Sequence, residues 1–492
     1  MQILPTRKKI FILLLLIAMI SATCDSEETG KVPITTKSNR ALKYFLKGRD
    51  LMDRLKYTQA KEYLDKAIEE DPEFALAYLH RAHMYYSRKE FNQEIEKAVS
   101  LLDQVSEGER LKILGLQAFA NRMPEIEREY YQKLVDTYPN DERAHLLLGN
   151  HYFFQTDYNQ AIGEYRRATA INPKFPLPYN QLGYAHRYLE NYEEAENAFK
   201  AYINLTPDDP NPYDSYADLL MKMGNFDKSI KIFEKALKQD PGFTASHVGI
   251  ANNLNMLGQH EKSRQMMREL IEITKDPVEI RLFKYTIAIS FIDQGLYQQG
   301  LEVINSIYET DKSFNDLSHM AEDLNHMGDV ARTMDSFQQA RSNYQFAYEL
   351  IEDSGFSKEI KLSAQLTYFY RRVLLALAQK NVDEAKEYIL KFRQSIEGMK
   401  DRIRTSYYHE LLGYIAIQEQ NYDEALGEFR RSTSHNPNIH LQMAVAAFNM
   451  GDRLKAIKFC EKAVHFNGIN NFNYAFIRMK ATQFLEKLKN YD

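Results

Sequence analysis

The chain has 492 residues, of which 63 are Lys or Arg and 68 are Asp or Glu, for a net charge of −5 at pH 7. This acidic balance gives no electrostatic reason to bind nucleic acid or an anionic membrane surface, so neither is expected as a partner of the protein part. Two cysteines exclude a disulfide framework. Gly and Pro are scarce (20 and 14), Tyr and Phe are plentiful (33 and 27), and no segment alternates convincingly with the period of a strand, which predicts an all-α protein.

Residues 1–23 are predicted to be a secretory signal peptide. Basic residues at positions 7–9 precede an apolar run from Ile10 to Ile20, which is too short to span a bilayer. Cys24 comes directly after this segment, and its placement resembles the bacterial lipobox, in which the cysteine becomes the lipidated N-terminus of the mature protein. Ser21 and Thr23 depart from the residues which that pattern prefers. Ordinary cleavage nearby and an uncleaved anchor therefore stay open as alternatives to lipidation.

Residues 24–40 are predicted to form a flexible tether, because the stretch from Asp25 to Lys31 is polar and low in apolar residues. Removal of residues 1–23 takes away three positive charges and no negative ones, which leaves −8 on the mature chain. We expect such a chain to reach the bacterial cell envelope and to touch the membrane through its N-terminal lipid only. Whether it faces the periplasm or the cell surface is left open.

Between residues 41 and 275 a pattern of large and small residues recurs every 33 or 34 positions. Successive copies begin near Ala41, Ala75, Gly108, Glu142, Pro176, Pro210 and Thr244. In one copy Gly149 and Ala161 are the small residues and Tyr165 is a large one, and the next copy places Gly183, Ala195 and Phe199 at the same positions. Small residues let two helices approach closely, and large ones fill the space to the next pair. A proline near the end of most copies stops the second helix.

This pattern resembles the tetratricopeptide repeat, a helical hairpin of 34 residues. The resemblance implies a solenoid in which each hairpin buries its apolar face against the next. We predict an all-α tetratricopeptide-repeat solenoid of about twelve helical hairpins with a C-terminal capping helix. Gly224, Gly258, Gly328 and Gly451 are expected to end first helices in a left-handed conformation.

The repeat loosens after residue 275, so residues 276–469 are predicted to form a degenerate array with longer helices. Residues 470–492 read as one closing helix, with Phe476, Met479, Phe484 and Leu488 inward. Such a helix covers the apolar face of the last repeat.

The sequence contains no motif that carries catalytic chemistry, metal binding or a cofactor. Glycine-rich phosphate loops, HExxH, GxSxG and paired CxxC are all absent. His409 and Glu410 look like the start of a zinc motif, but the second ligand position holds Gly413. We therefore expect a non-catalytic protein with no cofactor and no metal.

In the family it resembles, the first helix of each hairpin lines a groove that binds peptides. Carried onto this sequence, the groove positions hold aromatic, amide and isolated charged residues, which suit an extended chain. The predicted partner-binding residues are Arg143, Asn150, Phe153, Phe154, Asn180, Tyr184, Arg187, Tyr188, Asp214, Asp218, Met221, Asn252 and Asn255. The opposing interpretation is that these side chains only pack between adjacent first helices.

The sequence is compatible with three classes of function. The favoured one is a membrane-anchored scaffold that binds peptide or protein segments during assembly of envelope complexes. The alternative is a glycan- or nutrient-binding lipoprotein that partners an outer-membrane transporter, against which stand the absence of Trp and the regularity of the first seven repeats. The third is an enzyme, which a cluster of buried carboxylates or histidines in the irregular half would favour.

Overall fold

The computed structural model describes residues 30–85, 88–399, 401–432, 436–468 and 472–490. The predicted signal peptide, Cys24 and residues 24–29 of the predicted tether lie outside the described residues. By contacts the chain divides into two units, which are described separately. Unit 1 comprises Met1–Ala120 and Ile126–His145, and unit 2 comprises Asn121–Glu125 and Leu146–Asp492.

Among the described residues the regular secondary structure consists of helices joined by short turns and loops, with no strand. The α-helices are α1 (Asn39–Asp53), α2 (Tyr57–Glu70), α3 (Ala75–Ala82), α4 (Arg88–Val99), α5 (Glu107–Ala120), α6 (Pro124–Thr137), α7 (Glu142–Phe154), α8 (Tyr158–Ile171), α9 (Pro176–Tyr188), α10 (Tyr192–Leu205), α11 (Pro210–Lys222), α12 (Phe226–Gln239), α13 (Thr244–Met256), α14 (His260–Ile273), α15 (Pro277–Asp293), α16 (Tyr297–Ser313), α17 (Leu317–Thr333), α18 (Phe337–Glu352), α19 (Lys358–Ala378), α20 (Val382–Ile396), α21 (Arg402–Gln418), α22 (Tyr422–Arg431), α23 (Pro437–Asn449), α24 (Arg453–Val464) and α25 (Phe472–Lys489). A short 3-10 helix spans Leu102–Gln104.

Odd-numbered helices from α1 to α23 are the first helices of hairpins, and the even-numbered helices that follow them are the second helices. This gives twelve hairpins and a final helix over the described residues, so the predicted all-α array of about twelve hairpins is confirmed. Helices α7 to α14 have 13 or 14 residues, whereas α19 has 21.

In several hairpins a glycine of the first helix meets an aromatic ring of the second. A Cβ placed on Gly183 would lie 2.5 Å from a ring carbon of Phe199, and one on Gly149 would lie equally close to Tyr165. Gly328 makes the same contact with Tyr344 inside α17. The prediction that Gly328 ends a first helix is therefore wrong, because the longer helices of this region shift the register of the repeat.

Left-handed residues end the first helices of unit 2, but they are not always glycine. Gly224 has φ 78° and follows α11, as predicted, and Glu190 has φ 59° at the corresponding place after α9. In both turns the next residue donates its backbone N–H to a carbonyl in the last turn of the helix, at 2.8 Å from Asn225 and 2.9 Å from Asn191. These bonds satisfy helix-end carbonyls that would otherwise lack a partner, whichever residue supplies the turn.

Residues 31–37 differ from the predicted tether, because they are bound to unit 1. The side chain of Val32 is buried, and its N–H donates to Asp141 at 3.0 Å. The N–H of Thr35 donates to Glu109 and that of Lys37 to Asp71, each at 2.8 Å. Carboxylates at the starts of the first helices thus supply the acceptors that this extended segment needs.

Helix α25 packs on two separate parts of unit 2. Its second half, including Ala481, Leu485 and Leu488, covers the core of α23 and α24, which is the capping role that the sequence predicts. Its first half, including Phe472 and Phe476, belongs to the core of α15 to α18. Met479 was predicted to face inward, but its side chain is 40% exposed, so this prediction is wrong.

Candidate functional site

Consecutive first helices of unit 2 are joined by polar side chains, and we call this set of contacts the first-helix ladder. From α9 to α11, the hydroxyl of Tyr184 lies 3.3 Å from Ser215 Oγ, and Arg187 lies 3.2 Å from Asp218. From α11 to α13, Ser246 donates to Asp214 at 2.7 Å. From α13 to α15, Ser290 donates to Asn255 at 2.8 Å. The ladder therefore runs through residues of four successive repeats.

Several predicted groove residues take part in the contacts of the first-helix ladder: Tyr184, Arg187, Asp214, Asp218 and Asn255. The serine partners were not predicted from the sequence, because the repeat pattern does not specify serine at these positions. The serines matter because a short hydroxyl side chain fits between two closely spaced helices and serves as donor or acceptor. Packing between first helices is thus part of what these residues do.

An aromatic cluster lies beside the ladder on α7, α8 and α9. Tyr158 stacks on Tyr188 with ring centroids 4.9 Å apart, and Phe153 meets Tyr188 edge-on at 5.6 Å. The Arg187 guanidinium lies over the Tyr188 ring at 5.5 Å. Phe154 is 53% exposed at the side of this cluster. Aromatic and Arg side chains in one patch are typical of surfaces that bind protein segments.

Four predicted groove residues hold a buried polar atom without a hydrogen-bond partner within the described part of the chain. They are Asn180 through Oδ1, Arg187 through Nε, Asn252 through Oδ1 and Asn255 through Nδ2. Leaving a buried donor or acceptor unsatisfied costs about 1–3 kcal/mol. An extended peptide carries both N–H and C=O groups along its length, so it would supply partners to these atoms if binding moved the side chains enough to expose them.

Burial also perturbs the ionisation of two residues of α11. It raises the pKa of Asp214 to about 7, and the neighbouring Asp218 contributes in the same direction. Burial lowers the pKa of Lys222 to about 8, and Arg187 adds to this shift by repulsion. Asp214 is therefore about half protonated at pH 7, which lowers the cost of covering it with another chain, whereas Lys222 still carries most of its charge.

The remaining predicted residues are placed as follows. Arg143 lies in unit 1 and pairs with Asp53, with Nη1 at 2.9 Å from Oδ1. Asn150 accepts hydrogen bonds from Tyr165 at 2.9 Å and from Gln181 at 3.2 Å. Met221 is only 3% exposed and packs internally, and Phe153 belongs to the aromatic cluster.

Buried acidic residues do occur in the irregular half, around Arg281. Its guanidinium contacts Asp323 at 3.0 Å and Glu322 at 3.1 Å, and it also pairs with Asp311. Burial raises the pKa of Asp311 to about 6 despite this pairing. Because three of these carboxylates share one Arg, the cluster is an ion-pair network that joins α15, α16 and α17.

Among the residues that the structure describes, no group of three or more His, Cys, Asp or Glu side chains is placed to hold a metal ion. His409, the start of the apparent zinc motif, instead lies 2.6 Å from Glu428 on α22. Nor does any helix within the described ranges combine the length and the apolar character that crossing a bilayer requires.

Four family models described as TPR or tetratricopeptide repeats match the chain, at residues 45–106, 149–187, 178–209 and 220–284. No functionally curated protein matches it. Among solved structures, a tetratricopeptide repeat protein from Parabacteroides merdae is 15% identical and aligns over 53% of this chain and 98% of its own, with a TM-score of 0.38. The MamA protein is 20% identical over 34% of this chain and 91% of its own, with a TM-score of 0.29. MamA from Desulfovibrio magneticus is 15% identical over 34% and 95%, with a TM-score of 0.30.

At these TM-scores none of the solved structures bears on partners or on the site. The family models match the sequence, and the helical hairpins are seen independently in the structure. Both identify tetratricopeptide repeats, and proteins built from these repeats are generally scaffolds without catalytic activity. The chain contains tetratricopeptide repeats, and its described helices form a tetratricopeptide-repeat solenoid.

Proposed function

We propose that this protein is a non-catalytic scaffold of the bacterial cell envelope, anchored by a lipid on Cys24, that binds protein or peptide segments during assembly of envelope complexes. The binding surface is the first-helix ladder of unit 2 together with the aromatic cluster beside it. The observation that carries the proposal is that four predicted groove residues, on α9 and α13, each hold a buried polar atom without a partner in the described part of the chain.

Binding would satisfy these atoms in two ways. The carbonyl oxygens of Asn180 and Asn252 would accept from backbone N–H groups of the bound segment, while Asn255 Nδ2 and Arg187 Nε would donate to its carbonyls. Phe154 and Tyr188 would bury their exposed ring surface against an apolar side chain, at a gain of about 25 cal/mol per Å². The scaffold contributes local concentration and geometry and performs no reaction of its own.

The test compares partners captured by crosslinking in cells, followed by mass spectrometry, between the native chain and Asn180→Leu/Asn252→Leu. Leu has a similar volume and removes atoms that have no partner in the free protein, so this variant should fold normally and lose the partner. Asn253→Leu is the matched control, because Asn253 Oδ1 is also buried without a partner in the described part of the chain but its amide faces Ser229 of second helix α12 and not a neighbouring first helix. Asn253 donates to Ser229 at 3.1 Å and to the Gly249 carbonyl at 2.8 Å, so its loss should lower stability without removing a partner from the ladder.

Exposed aromatic surface is tested separately with Phe154→Ser on first helix α7 and Ile273→Ser on second helix α14, where Ile273 is 76% exposed. The first substitution should weaken capture and the second should not. Equal capture by the native chain, the double Asn variant and Phe154→Ser would overturn the proposed surface. Capture of no protein, with retention on a glycan array, would favour the glycan-binding alternative.

The membrane anchor has its own test, because Cys24 lies outside the described residues. Cells are fed an alkyne-bearing fatty acid, and the purified chain is examined for the label. Label on the native chain and none on Cys24→Ser is the expected result. An unlabelled native chain would reject lipidation and leave cleavage near Ala22 or an uncleaved anchor.

A further inference from the structure

The segment that follows α24 runs back to first helices far away in the sequence. Asn467 donates to the carbonyl of Lys222 at 3.1 Å, across 245 positions of the chain. Lys222 in turn donates to the carbonyl of Phe466, and its ammonium lies 4.0 Å from the centre of the Phe466 ring. Because Lys222 is the last residue of α11, this contact satisfies a carbonyl at a helix end.

Arg478 makes a similar contact one repeat further along. Its guanidinium donates to the carbonyls of Asn255 and Met256, each at 3.2 Å, at the very end of α13. It also holds Asp293, the last residue of α15, through two bonds of 2.8 and 2.7 Å. The Asp293 side chain is fully buried and also contacts His260 at 2.8 Å. A cation is favourable at the negative end of a helix dipole, so this position suits an arginine.

We call the surface of unit 2 that this segment and the first half of α25 cover the seat of α25. Two aromatic residues of α25, one turn apart, fill the apolar part of this seat. The Phe472 ring lies 4.5 Å from His326 on α17 and 5.6 Å from Tyr285 on α15. Phe476 lies 6.2 Å from Tyr297 on α16. The seat therefore takes an aromatic residue, a second one four positions later and an Arg two positions after that.

Most of the extensive helix contacts in unit 2 join neighbouring repeats, as expected for a solenoid, whereas α25 contacts α15. We propose that residues 466–468 and 472–478 are an internal ligand of unit 2. A protein partner would enter this seat by displacing them with a helical segment of the same chemistry, aromatic-x-x-x-aromatic-x-Arg. This seat adjoins the first-helix ladder through Asn255, so the inference extends the proposed function to the class of segment that is bound.

The two halves of α25 belong to different apolar clusters, so the first half has packing of its own to lose. In the displaced state it would leave its seat while Ala481, Leu485 and Leu488 stay packed on α23 and α24. A partner guanidinium would restore the bonds to Asp293 and to the α13 carbonyls. A segment without Arg would leave the buried Asp293 carboxylate with His260 as its one remaining partner described above, and the loss of the Arg contacts would give the seat its selectivity.

The experiment uses the full chain and a fluorescent synthetic peptide of residues 466–490. The native chain should bind the peptide weakly, because its own segment fills the seat. The full-length variant Phe476→Ala/Arg478→Ala should bind it at least tenfold more tightly, and a peptide carrying Arg478→Ala should lose that gain. Gln483→Ala, an exposed position on the same helix, is the control chain and should behave like the native protein. Equal affinity of the peptide for all three chains would overturn the proposal.

Hydrogen exchange on the native chain covers the case in which the double variant does not fold. The amides of the first half of α25 should exchange faster than those of α23 and α24, through an opening of their own. Exchange of all three helices at one rate would show that α25 is a fixed part of the core, and the proposal would be lost. This result would leave the Asn180→Leu/Asn252→Leu test untouched, so failure of the internal-ligand inference and failure of the scaffold proposal are distinguishable.

Discussion

Replacing Gly183 by Ala should destabilise the protein, although Ala is the better helix former. A Cβ at this position would lie 2.5, 2.6 and 2.7 Å from three ring carbons of Phe199, where ordinary contacts are 3.4–4 Å. The ring would have to move by about 1 Å, yet Phe199 is fully buried and packed edge-on against Tyr184 at 5.2 Å. Overpacking of this kind costs about 1–3 kcal/mol.

The helix propensity of Ala offsets about 1 kcal/mol of that cost. We therefore expect Gly183→Ala to lower the apparent free energy of unfolding by up to about 2 kcal/mol. Gly163 provides the matched control, because it lies inside α8 and a Cβ there would meet nothing within 4 Å. Gly163→Ala should stabilise by about 0.5–1 kcal/mol through propensity alone.

The assay is urea unfolding followed by circular dichroism, with the native chain and both variants measured side by side. A third variant, Gly183→Ala/Phe199→Leu, tests the cause, since loss of the ring should remove most of the penalty of the added methyl group relative to Phe199→Leu alone. Equal stabilisation by Ala at positions 183 and 163 would refute the steric argument. So would an undiminished penalty in the Phe199→Leu background.

Three further predictions concern buried titratable groups. The pKa of Asp214 is raised from 3.8 to about 7, so the unfolded chain loses its proton first and stability falls as pH rises through that window. Asp214→Asn keeps an acceptor for Ser246 and should flatten this part of the stability–pH curve; an unchanged slope would contradict the shift. Burial likewise raises the pKa of Glu410, whose Oε1 accepts from Tyr370 at 2.7 Å while Oε2 has no partner. Glu410→Gln should therefore be neutral or stabilising above pH 7, and a loss of several kcal/mol in urea unfolding would contradict this. The fully buried Cys460 thiol, its pKa raised by burial to about 11, should react with iodoacetamide only on unfolding, and fast labelling of the folded chain would reject that placement.

The hairpin array follows from local sequence. Gly149 and Gly183 fix where two helices approach, Tyr165 and Phe199 fill the resulting gap, and prolines set the ends of repeats. These choices act within about 34 residues, so a sequence pattern reveals them. The pattern fails at Gly328, where longer helices change the spacing.

The groove residues were predicted as a set, whereas their partners required tertiary structure. The family pattern places Asp214 and Asn255 on first helices, but only the packing of α11, α13 and α15 gives them Ser246 and Ser290 as partners. Which polar atoms stay unsatisfied, such as Asn252 Oδ1, depends equally on the distance between neighbouring helices.

The two ends of the described chain depended most on tertiary structure. Polarity alone predicted a free tether up to residue 40, yet Val32 is buried and bonded to Asp141 in unit 1. Periodicity alone predicted a capping helix, yet Arg478 bonds to Asp293 and to the end of α13 in unit 2. Local sequence determines helices and hairpins because their contacts lie within a repeat or its neighbour. Partners 109 or 185 positions apart are decided only when the repeats have stacked and brought helix ends, with their unsatisfied backbone groups, within reach.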